Sequence, residues 1–162
     1  MISSYVNQSK SDVSSGITIP SYNVLPINEI EPNLKKFNKY YNWIQKKHFE
    51  FKLKSNGLRK IELIKCQPKQ THQILKEMEE RGYLPAPSPY LLGIGIQYPG
   101  AVEKYGAIVS LDQNNLFVHE GGELCFLDVF WQEGCYLNLA ESKDVWDPRW
   151  WFAVIRVESF EK

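Results

Sequence analysis

Few side chains in this chain could carry acid–base chemistry. Its 162 residues include three histidines, His48, His72 and His119. A nucleophilic triad needs a serine or cysteine beside a histidine that a carboxylate orients. His48 and His72 lie in or beside charged helical stretches and share no carboxylate-rich neighbourhood. His119-Glu120 closes a strand at Gly121-Gly122, and Glu123 and Asp128 follow. That grouping offers a general acid and base, and so a hydrolase-type reading centred on His119. It is equally the ordinary make-up of an exposed turn. The His-Glu-x-x-His zinc motif is missing, because Glu120 is followed by Gly121-Gly122-Glu123. Cys66, Cys125 and Cys135 have no zinc-ligand spacing either. Gly93-Ile94-Gly95 lacks the third glycine and the preceding strand of a nucleotide fingerprint, so it reads as close helix packing. On these grounds no catalytic residue, metal or cofactor is expected.

Recognition chemistry is better supplied. The loop Glu141–Trp150 carries Asp144, Trp146, Asp147, Arg149 and Trp150, and tryptophan and arginine are the residue types in which binding energy concentrates. The leading expectation is a non-catalytic recognition domain with its face in this loop and an unknown protein or surface ligand as partner. The alternative is a polyanion or nucleic-acid accessory protein that uses Lys35, Lys36, Lys39, Lys46 and Lys47. There Phe37, Tyr40, Tyr41, Trp43, Phe49 and Phe51 interleave as stacking platforms would. Charge distribution motivates this. Residues 1–82 hold 14 basic and 8 acidic side chains, residues 83–162 hold 5 and 11, and the total is zero. Such opposite halves also suit self-association between copies.

Elements must position these groups. Hydrophobic residues make up 43% of the chain and aromatic residues 14%, enough for a core. Residues 1–30 are broken by Gly16, Pro20 and Pro26 and read as a flexible tail. Residues 31–66 read as a basic helix from Pro32 to Lys47 plus a hairpin, Phe49–Leu53 with Arg59–Cys66, turning at Asn56-Gly57. Residues 67–162 read as a compact domain. Its helices span Thr71 to Arg81, ended by Gly82, and Ser88 to Tyr98. Strands follow at 107–111, 116–119, 123–131 and 135–139, and the last covers Trp151–Val157. The fold class is α+β: two or three helices on a mostly antiparallel sheet of four to five strands.

Arg81-Gly82-Tyr83, Pro85-Ala86, Leu91-Leu92, Tyr98-Pro99 and the terminal Phe152-Ala153-Val154-Ile155-Arg156 resemble a widespread set of small uncharacterised bacterial domains. More distantly, residues 70–157 are similar to the C-type-lectin-like domains of bacterial and phage variable binding proteins. That resemblance implies a ligand surface in the loops before the last strand, here Glu141 to Arg149. The lectin cysteine pair is not evident, and Ser88 stands one place after the usual capping position, where this chain has Pro87. Three cysteines argue for reduced thiols, although Cys125 and Cys135 on neighbouring strands are close enough in sequence to bridge. No leader pattern opens the chain, and no apolar run approaches the ~18–20 residues of a membrane span, so a soluble cytoplasmic protein is expected.

Overall fold

Trp151-Phe152-Ala153-Val154-Ile155-Arg156 is aromatic and β-branched almost throughout, the pattern of a strand covered on both faces. In the computed structural model, which describes residues 18–46, 49–142 and 145–157, these residues form strand β11 (Trp151–Arg156). Three strands flank it. On one edge β3 (Arg59–Ile64) runs antiparallel, with Val154 opposite Glu62. On the other, β5 (Tyr83–Pro85) is antiparallel at Val154–Arg156, and β6 (Ala107–Val109) is parallel at Trp151–Phe152. The sheet continues through β8 (Leu124–Trp131) and β9 (Cys135–Glu141). Its edges are β1 (Ser21–Val24) and β2 (Lys39–Tyr40), in the order β1-β3-β11-β6-β8-β9-β2. With β5, and with β7 (Phe117–Val118) on β8, nine strands are joined among the described residues. A separate two-strand ladder pairs β4 (Lys69–Gln70) with β10 (Val145–Trp146).

Among the described residues, two hydrophobic clusters form the core. One joins Leu91, Leu92 and Ile94 of a helix at Ser88–Gln97 to Leu127, Val129 and Leu137 of β8 and β9. The other joins Ile74 and Met78 of the Thr71–Glu80 helix to Phe126, Trp146, Phe152 and Val154. The first of these helices depends on its glycines. A Cβ on Gly95 would lie 2.7 Å from the Phe37 ring, and one on Gly93 would lie 2.4 Å from the carbonyl oxygen of Leu25. Alanine is favoured over glycine within a helix by ~1 kcal/mol. At Gly93 the obstacle is backbone beside β1, which cannot swing aside, so the clash wins. Gly93→Ala is expected to lower unfolding free energy by roughly 1–3 kcal/mol in urea denaturation.

The α+β class is observed, but the sheet is larger than four to five strands, and it is mixed, since β6–β11 and β2–β9 are parallel. Beyond β3, expected in a hairpin of its own, the extra strands β1, β2 and β5 are two to four residues long, too short to show a period. Residues 21–24, expected in a tail, are the edge strand β1, with Val24 fully buried. The expected helix from Pro32 to Lys47 is instead a 3-10 helix (Glu31–Lys36), β2 and a short helix (Asn42–Lys46). Asn38 explains the break. Its backbone N–H donates to the Cys135 carbonyl, and its Oδ1 accepts from the Cys135 N–H at 2.9 Å, which draws the chain onto β9.

The expected Phe49–Leu53 strand does not form either. Asn115 satisfies the Leu53 N–H and C=O with its side-chain amide, at 2.9 and 3.1 Å. β3 therefore takes β1 and β11 as neighbours, and residues 31–66 share the sheet with 67–157. A further helix at Pro99–Tyr105, not expected, links the Ser88–Gln97 helix to β6. Cys125 and Cys135 are both buried and form no disulfide with each other; they stand opposite Glu141 and Trp131. Burial pushes the Cys135 thiol up to about 12. No helix among the described residues is long and apolar enough to cross a membrane.

Candidate functional site

Alternation along paired strands sends every second residue to the same face. Asp128 of β8 stands opposite Asn138 of β9, next to the Phe126–Ala140 and Phe130–Tyr136 pairs. The loop into β11 settles over this face, and Trp146 holds it there. That indole is 2% exposed, and its ring meets those of Phe126, Trp150 and Phe152 at centroid distances of 6.3, 5.1 and 6.0 Å. Its Nε1–H donates to Thr71 Oγ1 at 2.8 Å, and that hydroxyl donates to the Ser142 carbonyl. Trp146, expected on the ligand face, is therefore a core residue. Large apolar area beside a satisfied N–H makes burial the lower-energy state.

The rest of the loop is shaped by Asp147 and Lys65. Asp147 Oδ1 accepts from the Arg149 backbone N–H at 3.0 Å and lies 3.3 Å from Arg149 Nε, so it forms the turn. Lys65 Nζ donates to the Pro148 carbonyl and lies 4.9 Å above the Trp151 ring. Arg149 lies 5.6 Å over Trp150. Between this loop and the β8–β9 face is a cavity of about 790 Å³, lined by Lys65, Tyr105, Asn138, Arg149, Trp150 and Trp151 among others. Sites for small ligands fall in the range of about 300–1,000 Å³ and combine apolar walls with a few convergent polar groups. Two of the expected loop residues, Arg149 and Trp150, are thus on its wall. Asp144 lies outside the described residues.

Asp128 is directly behind this wall. It is fully buried, its Oδ2 accepts from Asn138 Nδ2 at 3.4 Å, and its Oδ1 has no hydrogen-bond partner among the described residues. Desolvation raises its carboxyl to about 8, although the Asn138 hydrogen bond and the Arg149 cation pull the other way. At neutral pH it is mostly a neutral acid.

A second polar cluster borders the same cavity through His119 and Glu141. Glu141 stands opposite Cys125 on the hairpin, beside the turn that carries His119 and Glu123. His119 Nδ1 is 3.6 Å from Glu123 Oε1, and one donor atom from each of His119, Glu123 and Glu141 lies within 4.8 Å of the others. Behind the imidazole, Tyr41 Oη is 3.2 Å from His119 Nε2 and donates to Glu120 Oε1 at 2.5 Å. The bond to that carboxylate pushes the Tyr41 phenol up to about 12. Sequence spacing gives no sign of Glu141 here, because only the β8–β9 pairing brings it across.

The lysines expected to bind polyanions sit elsewhere. Lys35 and Lys36 are exposed in the last turn of the 3-10 helix, and Lys39 is exposed on β2. Lys47 and the side chain of Lys46 lie outside the described residues. The aromatics between them face inward: Phe37 and Phe51 are buried, and Tyr40, Tyr41, Trp43 and Phe49 pack against the same core. No family model matches this chain, and neither does any curated protein or solved structure.

Proposed function

We propose that the protein is a recognition domain that binds a small anionic ligand with a planar ring in the cavity beneath the 147–151 loop. The observation that carries this reading is the convergence of Lys65 and Arg149 with Tyr105, Trp150 and Trp151 around one cavity of ligand size. The aromatic walls would stack on the ring, and the two cations would meet the negative group. Both cations are already held over indoles, so less side-chain entropy is lost on binding. The buried Asp128–Asn138 pair fixes the Asn138 amide on the cavity wall and adds no full negative charge that would repel an anion. Trp146 has no part in contact. Its role is to keep the loop in place.

Soaking the protein with a panel of aromatic carboxylates and aryl phosphates, read by ligand-observed NMR and tryptophan fluorescence, tests this. Binders are expected, and the double variant Lys65→Gln/Arg149→Gln should weaken them at least tenfold with little change in melting temperature, since Lys65 and Arg149 are both exposed and their contacts with the loop are surface ones. Binders unaffected by that variant, or no binder among the anionic ring compounds, would reject the proposal.

A further inference from the structure

We propose that His119, Glu123 and Glu141 hold a divalent transition-metal ion at the border of the cavity. This does not depend on what the cavity binds. One imidazole nitrogen and two carboxylate oxygens, all within 4.8 Å, make a three-donor set from two separate pieces of chain. Donors on a single ion bonded at about 2.0–2.2 Å sit roughly 3–4 Å apart, so small rotations of partly exposed carboxylates suffice.

Two further features prepare the set. The first is the histidine tautomer, which the surrounding bonds assign. Tyr41 spends its proton on Glu120, so its oxygen accepts from His119 Nε2–H, while the Gly121 N–H points at Nδ1 from 3.3 Å. Nδ1 therefore carries the lone pair, and it is the nitrogen that faces Glu123; an ion bound there takes the place of the long Gly121 N–H contact. A ligating histidine whose other N–H is anchored to an outer hydrogen-bonded group is the usual arrangement at metal sites. The second is Gly121. A Cβ there would stand 2.7 Å from Glu123 Oε1, so a larger residue would oblige this carboxylate to shift from its present position.

Ion class follows from donor type. Imidazole with two carboxylates suits Mn²⁺, Fe²⁺, Co²⁺ or Zn²⁺ better than Ca²⁺ or Mg²⁺, which prefer oxygen alone. With three protein donors, positions remain for water or a ligand group.

The test uses the full chain stripped with a chelator, then titrated with Co²⁺ alone and, separately, Zn²⁺ alone. One equivalent of Co²⁺ should bind with visible absorption bands, and Zn²⁺ should raise the melting temperature. His119→Asn and Glu141→Gln should each lower affinity at least tenfold. Tyr41→Phe leaves all three donors in place and should lower it about 10–100-fold, as loss of an outer-shell partner does. Glu103→Gln, exposed on the Pro99–Tyr105 helix, should bind as the parent does. Absence of Co²⁺ bands and of any Zn²⁺ shift in the parent protein overturns the site. So does unchanged binding in Glu141→Gln, a variant at a partly exposed strand end whose fold circular dichroism can verify.

Discussion

Asp128→Asn is expected to stabilise the protein by several kcal/mol at pH 9 and by almost nothing at pH 4. Asp128 is buried, with its carboxyl raised to about 8 by desolvation. In the unfolded chain the same group titrates near 4. Below that value it is protonated in both states and contributes no pH dependence. As pH rises from about 4 to about 8 the unfolded chain loses the proton and the folded chain keeps it. The unfolded state is favoured by roughly 1.4 kcal/mol per pH unit across this window, and the penalty levels off above about 8. Asparagine has nearly the same shape, can still bond Asn138, and never ionises. Urea denaturation at pH 4, 7 and 9 should show the two proteins diverging as pH rises. Parallel curves would mean that Asp128 is not the group responsible.

Trp146→Ala should cost about 3–5 kcal/mol, the range for removing a buried large aromatic. Against a typical stability of about 5–15 kcal/mol this is a large fraction. The ring contributes contacts to Phe126, Trp150 and Phe152, and the hydrogen bond to Thr71 ties the loop to the Thr71–Glu80 helix. Trp146→Phe keeps most of the apolar contact and should lose only about 1–2 kcal/mol through the hydrogen bond and the altered fit. Trp150→Ala should cost less than Trp146→Ala, because Trp150 is only partly buried. Thermal and chemical denaturation of the three variants should rank them accordingly. A Trp146→Ala protein as stable as the parent would mean the loop is not anchored by that indole.

These two residues show how far sequence reading reaches. Asp128 is visible as an oddity, one carboxylate inside Leu124–Trp131, where both faces are otherwise apolar. Its neighbours could not be read off, because they come from β6 and β9. Trp146 is separated from the strand-forming run by Asp147-Pro148, and that separation suggests an exposed loop residue. The pairing of Val145 and Trp146 with Lys69 and Gln70, about 75 residues earlier in the chain, turns the ring inward. The same limit applies to Asn38 and Asn115. Each ends an expected element through side-chain bonds to backbone far away in sequence, 97 residues for Asn38 and 62 for Asn115. Propensity has no term for such partners.

Local elements with strong periods or punctuation are legible in the residues alone. The helix closed by Gly82, the helix opened by Ser88-Pro89, the β8–β9 hairpin and the terminal strand lie within a few residues of where pattern and turn chemistry put them. Side-chain alternation and capping act between near neighbours, so they are written locally. Long-range packing, by contrast, sets β11 beside β6, makes Trp146 a core residue, keeps Asp128 mostly protonated at neutral pH, and brings Glu141 to His119 and Glu123. Each of those rests on which face of which strand meets another, and a one-residue change of register would reverse it.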